Sequence, residues 1–264
     1  VAAGDAKHGE YLARAGGCMA CHTQENGGAP YAGGRALKTP FGTFYGPNIT
    51  PDADTGIGRW TESDFIRAMR QGDRPDGSNY FPAFPYPSFT RITDSDLSDL
   101  WAYLRSVAPT RRVSQPHDLH FPFGWRFAVT AWKWLFFKPG GYAANPQLSS
   151  VENRGGYLVR ALGHCGECHT PRNALGGPQR NRYLAGGKGP FGKNVPNLTP
   201  TRLKKWTDAE LKEFLKTGAT PDGDAADETM DEVIRNTTSR LTPEDLSAVI
   251  AYLRSLPALE NEPR

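Results

Sequence analysis

Cys18-Met19-Ala20-Cys21-His22 and Cys165-Gly166-Glu167-Cys168-His169 share the pattern Cys-x-x-Cys-His and hold all four cysteines of the chain. Two thiols three positions apart are spaced to form thioethers with the two vinyl groups of one haem. The histidine that follows is placed to ligate the iron from one face. The pattern reads as two covalently bound c-type haems. Cys18, Cys21, Cys165 and Cys168 are the anchors, and His22 and His169 the proximal ligands. A structural zinc site needs two such pairs within about 12–20 residues, whereas these stand 147 positions apart. A thioredoxin-like pair needs neither the following histidine nor a duplicate, and disulfide frameworks belong to much smaller chains.

The repeat extends far beyond the cysteines. Trp60-Thr61 recurs as Trp206-Thr207, Gly72 as Gly218, and Pro75-Asp76-Gly77 as Pro221-Asp222-Gly223, all at an offset of 146. Pro47-Asn48-Ile49-Thr50-Pro51 recurs as Pro196-Asn197-Leu198-Thr199-Pro200, and Ala102–Ser106 as Ala251–Ser255, at an offset of 149. A duplicated domain with small loop changes follows. Thr61 with Asp64 and Thr207 with Glu210 predict capped mid-domain helices. Thr93 and Thr242 predict the start of each last helix, with Pro243 at a first helical position. Leu97, Leu100, Trp101 and Leu104, like Leu246, Val249, Ile250 and Leu253, keep helical spacing. Tyr11-Leu12 and Tyr157-Leu158 lead helices into the haem motifs. No alternating strand pattern stands out, so the predicted fold is all-α. Its domains are 1–107 and 151–264, joined by a strap over 108–150.

The strap is rich in aromatics, among them Phe121, Phe123, Trp125, Phe127, Trp132, Trp134, Phe136 and Phe137, and carries five bases against one acid. A helix from about Trp125 to Phe137 is too short to span a bilayer. The composition is compatible with a flat membrane contact, but a strap packed between the domains and shielding haem edges is the expected role. With 22 prolines, 29 glycines and 38% hydrophobic residues the chain is loop-rich, so haem would supply much of the apolar interior. No run of about 18 apolar residues predicts a transmembrane helix. Val1-Ala2-Ala3-Gly4 leads directly into polar sequence, and the numbering is expected to begin at a mature terminus. A net charge of +3 without a binding motif argues against nucleic acid. Arg172, Arg180, Arg182, Lys188, Lys193, Arg202, Lys204 and Lys205 form an acid-free run. Either the acids from Asp222 to Glu232 compensate it internally, or it rims the second haem and steers an acidic partner.

The sixth ligand separates electron transfer from ligand chemistry, and methionine is the usual choice in electron carriers. Met230, in the segment Asp227-Glu228-Thr229-Met230 expected to be a loop, is the predicted distal ligand of the second haem. The offset of 146 places Phe84 at the matching position of the first half. Phenylalanine has no lone pair for iron. The first iron is then open, water-bound, or ligated from Met69 or from a strap histidine such as His117 or His120.

The two haem motifs, Pro47–Pro51, Tyr80–Tyr86 and His164–Asn173 together resemble the c-type cytochrome subunits and soluble dihaem cytochromes that serve periplasmic dehydrogenases. The resemblance covers nearly the whole chain. It implies tandem class I cytochrome c domains in the periplasm, carrying single electrons from a dehydrogenase to a downstream acceptor, with catalytic conversion on the partner. The family's loop often has methionine where Phe84 stands. A second reading makes the open first haem a ligand-binding or catalytic site.

Overall fold

A computed structural model describes residues 4–189, 192 and 194–260. The amino-terminal reading at Val1–Ala3, and Lys193 of the basic run, lie outside them. The chain divides into two compact units, Val1–Gly141 and Tyr142–Arg264.

In the first unit, α1 (Ala6–Ala15) is capped by Asp5, whose carboxylate accepts from the Lys7 and His8 amides. It crosses α5 (Asp94–Ser106), which starts at the Thr93 cap as expected. The crossing is possible because position 9 is glycine: a Cβ there would overlap the carbonyl oxygen of Asp99. Leu12 and Ala13 from α1 and Leu97, Leu100 and Leu104 from α5 are buried around it. His8 Nδ1 sits 2.7 Å from Asp99 Oδ2 at the same place. Helix α2 (Cys18–His22) carries the first haem motif. Helix α3 (Glu62–Gln71) has the full Thr61–Asp64 capping box and ends at Gly72 in the left-handed region. A single turn, α4 (Tyr86–Phe89), follows.

The strap up to Gly141 packs onto this unit, and its remaining residues from Tyr142 belong to the second. Its helix α6 (Arg126–Phe136) matches the predicted Trp125–Phe137 segment within a residue at each end. Lys133 Nζ reaches Asp73 Oδ1 (2.5 Å) and Asn79 Oδ1 (2.8 Å). Arg126 donates to the Asn79 carbonyl at 2.8 Å and lies 4.6 Å over the Phe81 ring. Asn79 donates in turn to Thr130 at 2.8 Å, and Phe137 meets Tyr86 edge-on at 5.1 Å. These contacts fasten the loop between α3 and α4.

Short strands add to the helical plan. β1 (Ala36–Thr39) and β2 (Gly42–Tyr45) form a hairpin, and the strap's β3 (Asp118–Leu119) pairs with β2. Strands of two to four residues have too few positions to show alternation, which is why the sequence did not predict them.

The second unit repeats the helical plan. α7 (Ser150–Tyr157) starts at a Ser149–Glu152 capping box and crosses α12 (Pro243–Ser255), with Gly155 against the Ala248 carbonyl as Gly9 is against Asp99. Between α7 and α8 (Gly166–His169) lies a π-helical turn, Leu158–Leu162. β4 (Gly187–Lys188) and β5 (Asn194–Val195) form a small hairpin, and α9 (Pro200–Leu203) precedes α10 (Asp208–Thr217). α10 has the Thr207–Glu210 capping box and ends at left-handed Gly218. α11 (Glu228–Asn236) then begins at the Asp227 cap. Among the described residues no helix is long and apolar enough to cross a membrane.

Candidate haem sites

Each Cys-x-x-Cys-His segment forms one helical turn that puts its cysteines on a common face. α2 holds Cys18, Cys21 and His22, while Cys165 caps α8 with Cys168 and His169 inside it. The backbone before the first cysteine turns through positive φ at Gly17 (64°) and at His164 (39°).

Each histidine is then oriented by a carbonyl. His22 Nδ1 is 2.8 Å from the oxygen of Pro47, and His169 Nδ1 is 2.8 Å from that of Pro196. A carbonyl only accepts, so Nδ1 carries the proton and Nε2 keeps its lone pair. That is the tautomer a metal-binding imidazole needs. Burial holds both rings below the usual histidine pKa, with the proline carbonyls opposing the shift. At His169, Arg202 adds to the lowering and Asp227 counters it.

The loop that delivers the proline is built alike in both units. Gly33 donates to the His22 carbonyl (2.7 Å) and Gly186 to that of His169 (2.8 Å). Both glycines have positive φ, and a Cβ would come within 2.6 and 2.5 Å of the Asn48 and Asn197 nitrogens. Asn48 Nδ2 donates to the Thr110 carbonyl at 2.8 Å, and its Oδ1 accepts from the Thr50 amide. Asn197 does the same with Leu259, at 2.7 Å, and with Thr199. The recurring Pro-Asn-x-Thr-Pro was visible as a repeat, but its role was not. It ties the segment after each last helix to the histidine-orienting loop.

Burial pushes the Cys18 and Cys165 thiols up to about 12, with the neighbouring Cys21 and Cys168 adding to the shift. These are neutral thiols, unlike the thiolates of redox-active Cys-x-x-Cys pairs. Tyr31 is close enough to Cys18, and Tyr252 to Cys165, to share its electrostatics. The donor set fits a covalently attached haem in each unit: two anchoring sulfurs, and an imidazole with Nε2 free for iron.

A cytochrome c family model matches residues 6–108 and 154–257. The chain belongs to the cytochrome c family. It is 45% identical over 262 residues to a diheme cytochrome c-type protein of Cereibacter sphaeroides, covering 97% of the chain and 88% of the relative. It is 40% identical over 265 residues to the gluconate 2-dehydrogenase cytochrome c subunit of Pantoea cypripedii, covering 96% of the chain and 59% of that subunit. It is 41% identical over 254 residues to the fructose dehydrogenase cytochrome subunit of Gluconobacter japonicus, covering 95% of the chain and 52% of that subunit. The chain therefore spans less than two thirds of these two dehydrogenase subunits. Two tandem cytochrome c domains, two covalent haems and an electron-transfer role follow.

Met230 lies on the first turn of α11, where the sequence had suggested a loop. Asp227 accepts from the Met230 amide at 2.9 Å and so starts the helix one turn early. Phe84 lies just before α4, edge-on to Tyr80 (5.4 Å) and Phe89 (5.8 Å). Met69 is 6% exposed on α3. His117 Nδ1 accepts from the Tyr45 amide at 3.1 Å, with its ring edge-on to Phe44 and Phe81. His120 is exposed beyond β3.

Proposed function

We propose that this protein is a periplasmic dihaem electron carrier, taking single electrons from a dehydrogenase and passing them to a downstream acceptor. The supporting observation is the matched pair of histidine–carbonyl bonds, 2.8 Å in each unit. Each carbonyl would hold its imidazole with Nε2 turned to the iron, so each unit would keep a fixed proximal ligand through a one-electron change. The dehydrogenase partner is inferred from the names of the relatives.

Within that reading, Cys18, Cys21 and His22 would hold the first haem. Cys165, Cys168 and His169 would hold the second, with Met230 as its sixth ligand. The haem supplies a one-electron couple; the protein orients its ligands and limits water around it. Axial ligands can spread haem potentials over about 0.8 V, and a tenfold bias for one electron needs only about 59 mV. With Met230 as sixth ligand the second haem would have the raised potential, which would favour entry of electrons at the first haem and their collection at the second. Within the basic run Arg172 is paired with Glu167 at 2.7 Å, while Arg182 donates to the Glu260 backbone carbonyl and keeps its charge. Lys188, Arg202, Lys204 and Lys205 are exposed. They favour an acidic face on whichever partner meets the second unit.

The test mixes oxidised holoprotein with the catalytic part of gluconate 2-dehydrogenase or fructose dehydrogenase and the matching sugar substrate. Haem absorbance is followed by stopped flow. Substrate-dependent reduction that slows with added salt is expected. No reduction by either enzyme, in protein that dithionite reduces fully, would remove these dehydrogenases as donors. Haem staining of periplasmic and cytoplasmic fractions from the producing cell tests the location.

A further inference from the structure

The two helix crossings share one backbone frame but carry different side chains. Gly9 packs on the Asp99 carbonyl and Gly155 on the Ala248 carbonyl. Thr93 accepts from the Asp96 amide and Thr242 from the Asp245 amide, each at 3.2 Å. Asp99 therefore stands where the second unit has Ala248, and Asp96 where it has Asp245. His8 and Arg154 correspond as well, each directly preceding its crossing glycine.

In the second unit these positions form a bidentate ion pair. Arg154 donates to Asp245 from Nε at 2.8 Å and from Nη2 at 2.7 Å. A guanidinium keeps its charge and has no lone pair to offer a metal. The first unit replaces it with an imidazole, which has one, and adds a second carboxylate in place of an alanine methyl. His8 Nδ1 lies 2.7 Å from Asp99 Oδ2, while Asp99 Oδ1 accepts from the Asp5 amide at 2.6 Å. Donor atoms of His8, Asp96 and Asp99 all lie within 4.8 Å of one another. With His8 neutral, the trio carries two negative charges where its counterpart carries none. Two carboxylates held this close, one of them on a residue only 9% exposed, favour a cation between them.

We propose that His8, Asp96 and Asp99 bind one divalent transition-metal ion of the zinc class, which clips α1 to α5. One imidazole nitrogen with carboxylate oxygens suits such an ion, whereas calcium and magnesium take oxygen donors. Donors about 2.0–2.2 Å from one ion stand at most roughly 4 Å apart. Rotation of His8, whose side chain is 41% exposed, brings the set to that size. The Asp5 amide holds Asp99 Oδ1 and leaves Oδ2 for the ion. Coordination forms three bonds to the metal; a proton on the ligating nitrogen leaves to the buffer, and water completes the shell. The clip joins residues 91 positions apart in sequence. It goes beyond electron carriage and uses neither haem nor its ligands.

The test titrates the holoprotein with zinc chloride at neutral pH in a calorimeter, after dialysis against EDTA, which leaves covalent haem in place. About one equivalent per chain is expected, with a melting temperature that rises with zinc concentration. His8→Arg installs the second unit's guanidinium and removes the ligand nitrogen. It should abolish uptake while melting near the wild type in EDTA. Asp99→Ala, which installs the second unit's alanine, should weaken zinc at least about tenfold and covers the case in which His8→Arg does not fold. No uptake by the wild type would leave His8 as a hydrogen-bond partner of the carboxylates and overturns the proposal. Undiminished uptake by either folded variant, or magnesium bound as tightly as zinc, overturns it too.

Discussion

His169 donates from Nδ1 to the carbonyl oxygen of Pro196 at 2.8 Å, and every element that builds this pair lies in the second unit. His22 and Pro47 are likewise both in the first. The two haem sites should therefore load independently. A Cys18→Ser/Cys21→Ser protein is expected to lose the mass of one haem in intact-mass spectrometry and keep the spectrum of the haem held by Cys165, Cys168 and His169. Loss of both haems would show that the sites assemble together.

The strap's hold on the first unit should be measurable through Lys133. Its ammonium bridges Asp73 and Asn79 in a half-buried setting. Removing it leaves the Asp73 carboxylate without its cation, so Lys133→Met should cost about 1–3 kcal/mol. Urea unfolding of the holoprotein reads the loss. The spectral change at lower urea should belong to the haem held by Cys18, Cys21 and His22.

Asp99 gives a pH signature. Burial alone would raise its carboxyl, but the bonds from His8 and the Asp5 amide outweigh burial and hold the pKa below the usual carboxylate range. A depressed folded-state pKa contributes stability above the unfolded value, about 3.9, and that contribution is lost as pH falls through the folded value. Asp99→Asn should lower the melting temperature at neutral pH, and the deficit should close under acid. A deficit independent of pH would locate its origin in packing.

The helix crossing predicts a steep size limit. A Cβ at Gly9 would overlap the Asp99 carbonyl, and backbone cannot retreat as a side chain can. Gly9→Ala should cost at least about 3 kcal/mol. Gly141→Ala, with no heavy atom within 4 Å of the added carbon, should change stability little. Thermal denaturation of the two variants checks the contrast.

The helices and haem anchors were readable because their signals are local. Thr61 and Asp64, or Cys18 through His22, lie within one turn of each other and state their structure at that range. The proline carbonyls were not readable, since any residue has a carbonyl and only the fold brings number 47 to number 22. The strap's attachment was hidden for a related reason. Its aromatic and basic residues suited several surfaces, and the choice of Asp73 and Asn79 depends on contacts across more than 50 positions. The shared course of the loops after Gly72 and Gly218, closed by Tyr80 and Ala226 at 2.8 Å, was legible because the duplication supplies its own internal comparison.

The π-helical turn Leu158–Leu162 preserves a trace of how the two units diverged. Gly9 and Gly155 are offset by 146 positions, yet Cys18 and Cys165 are offset by 147. One residue was gained in the second copy or lost from the first, and the widened turn absorbs it. A length change between the crossing glycine and the first cysteine was thus tolerated, because a helix can swell by one residue while its ends stay put. Inside the five residues from cysteine to histidine no such slack exists. There the reach of two thioether bonds and one imidazole sets the count, and both copies have kept it.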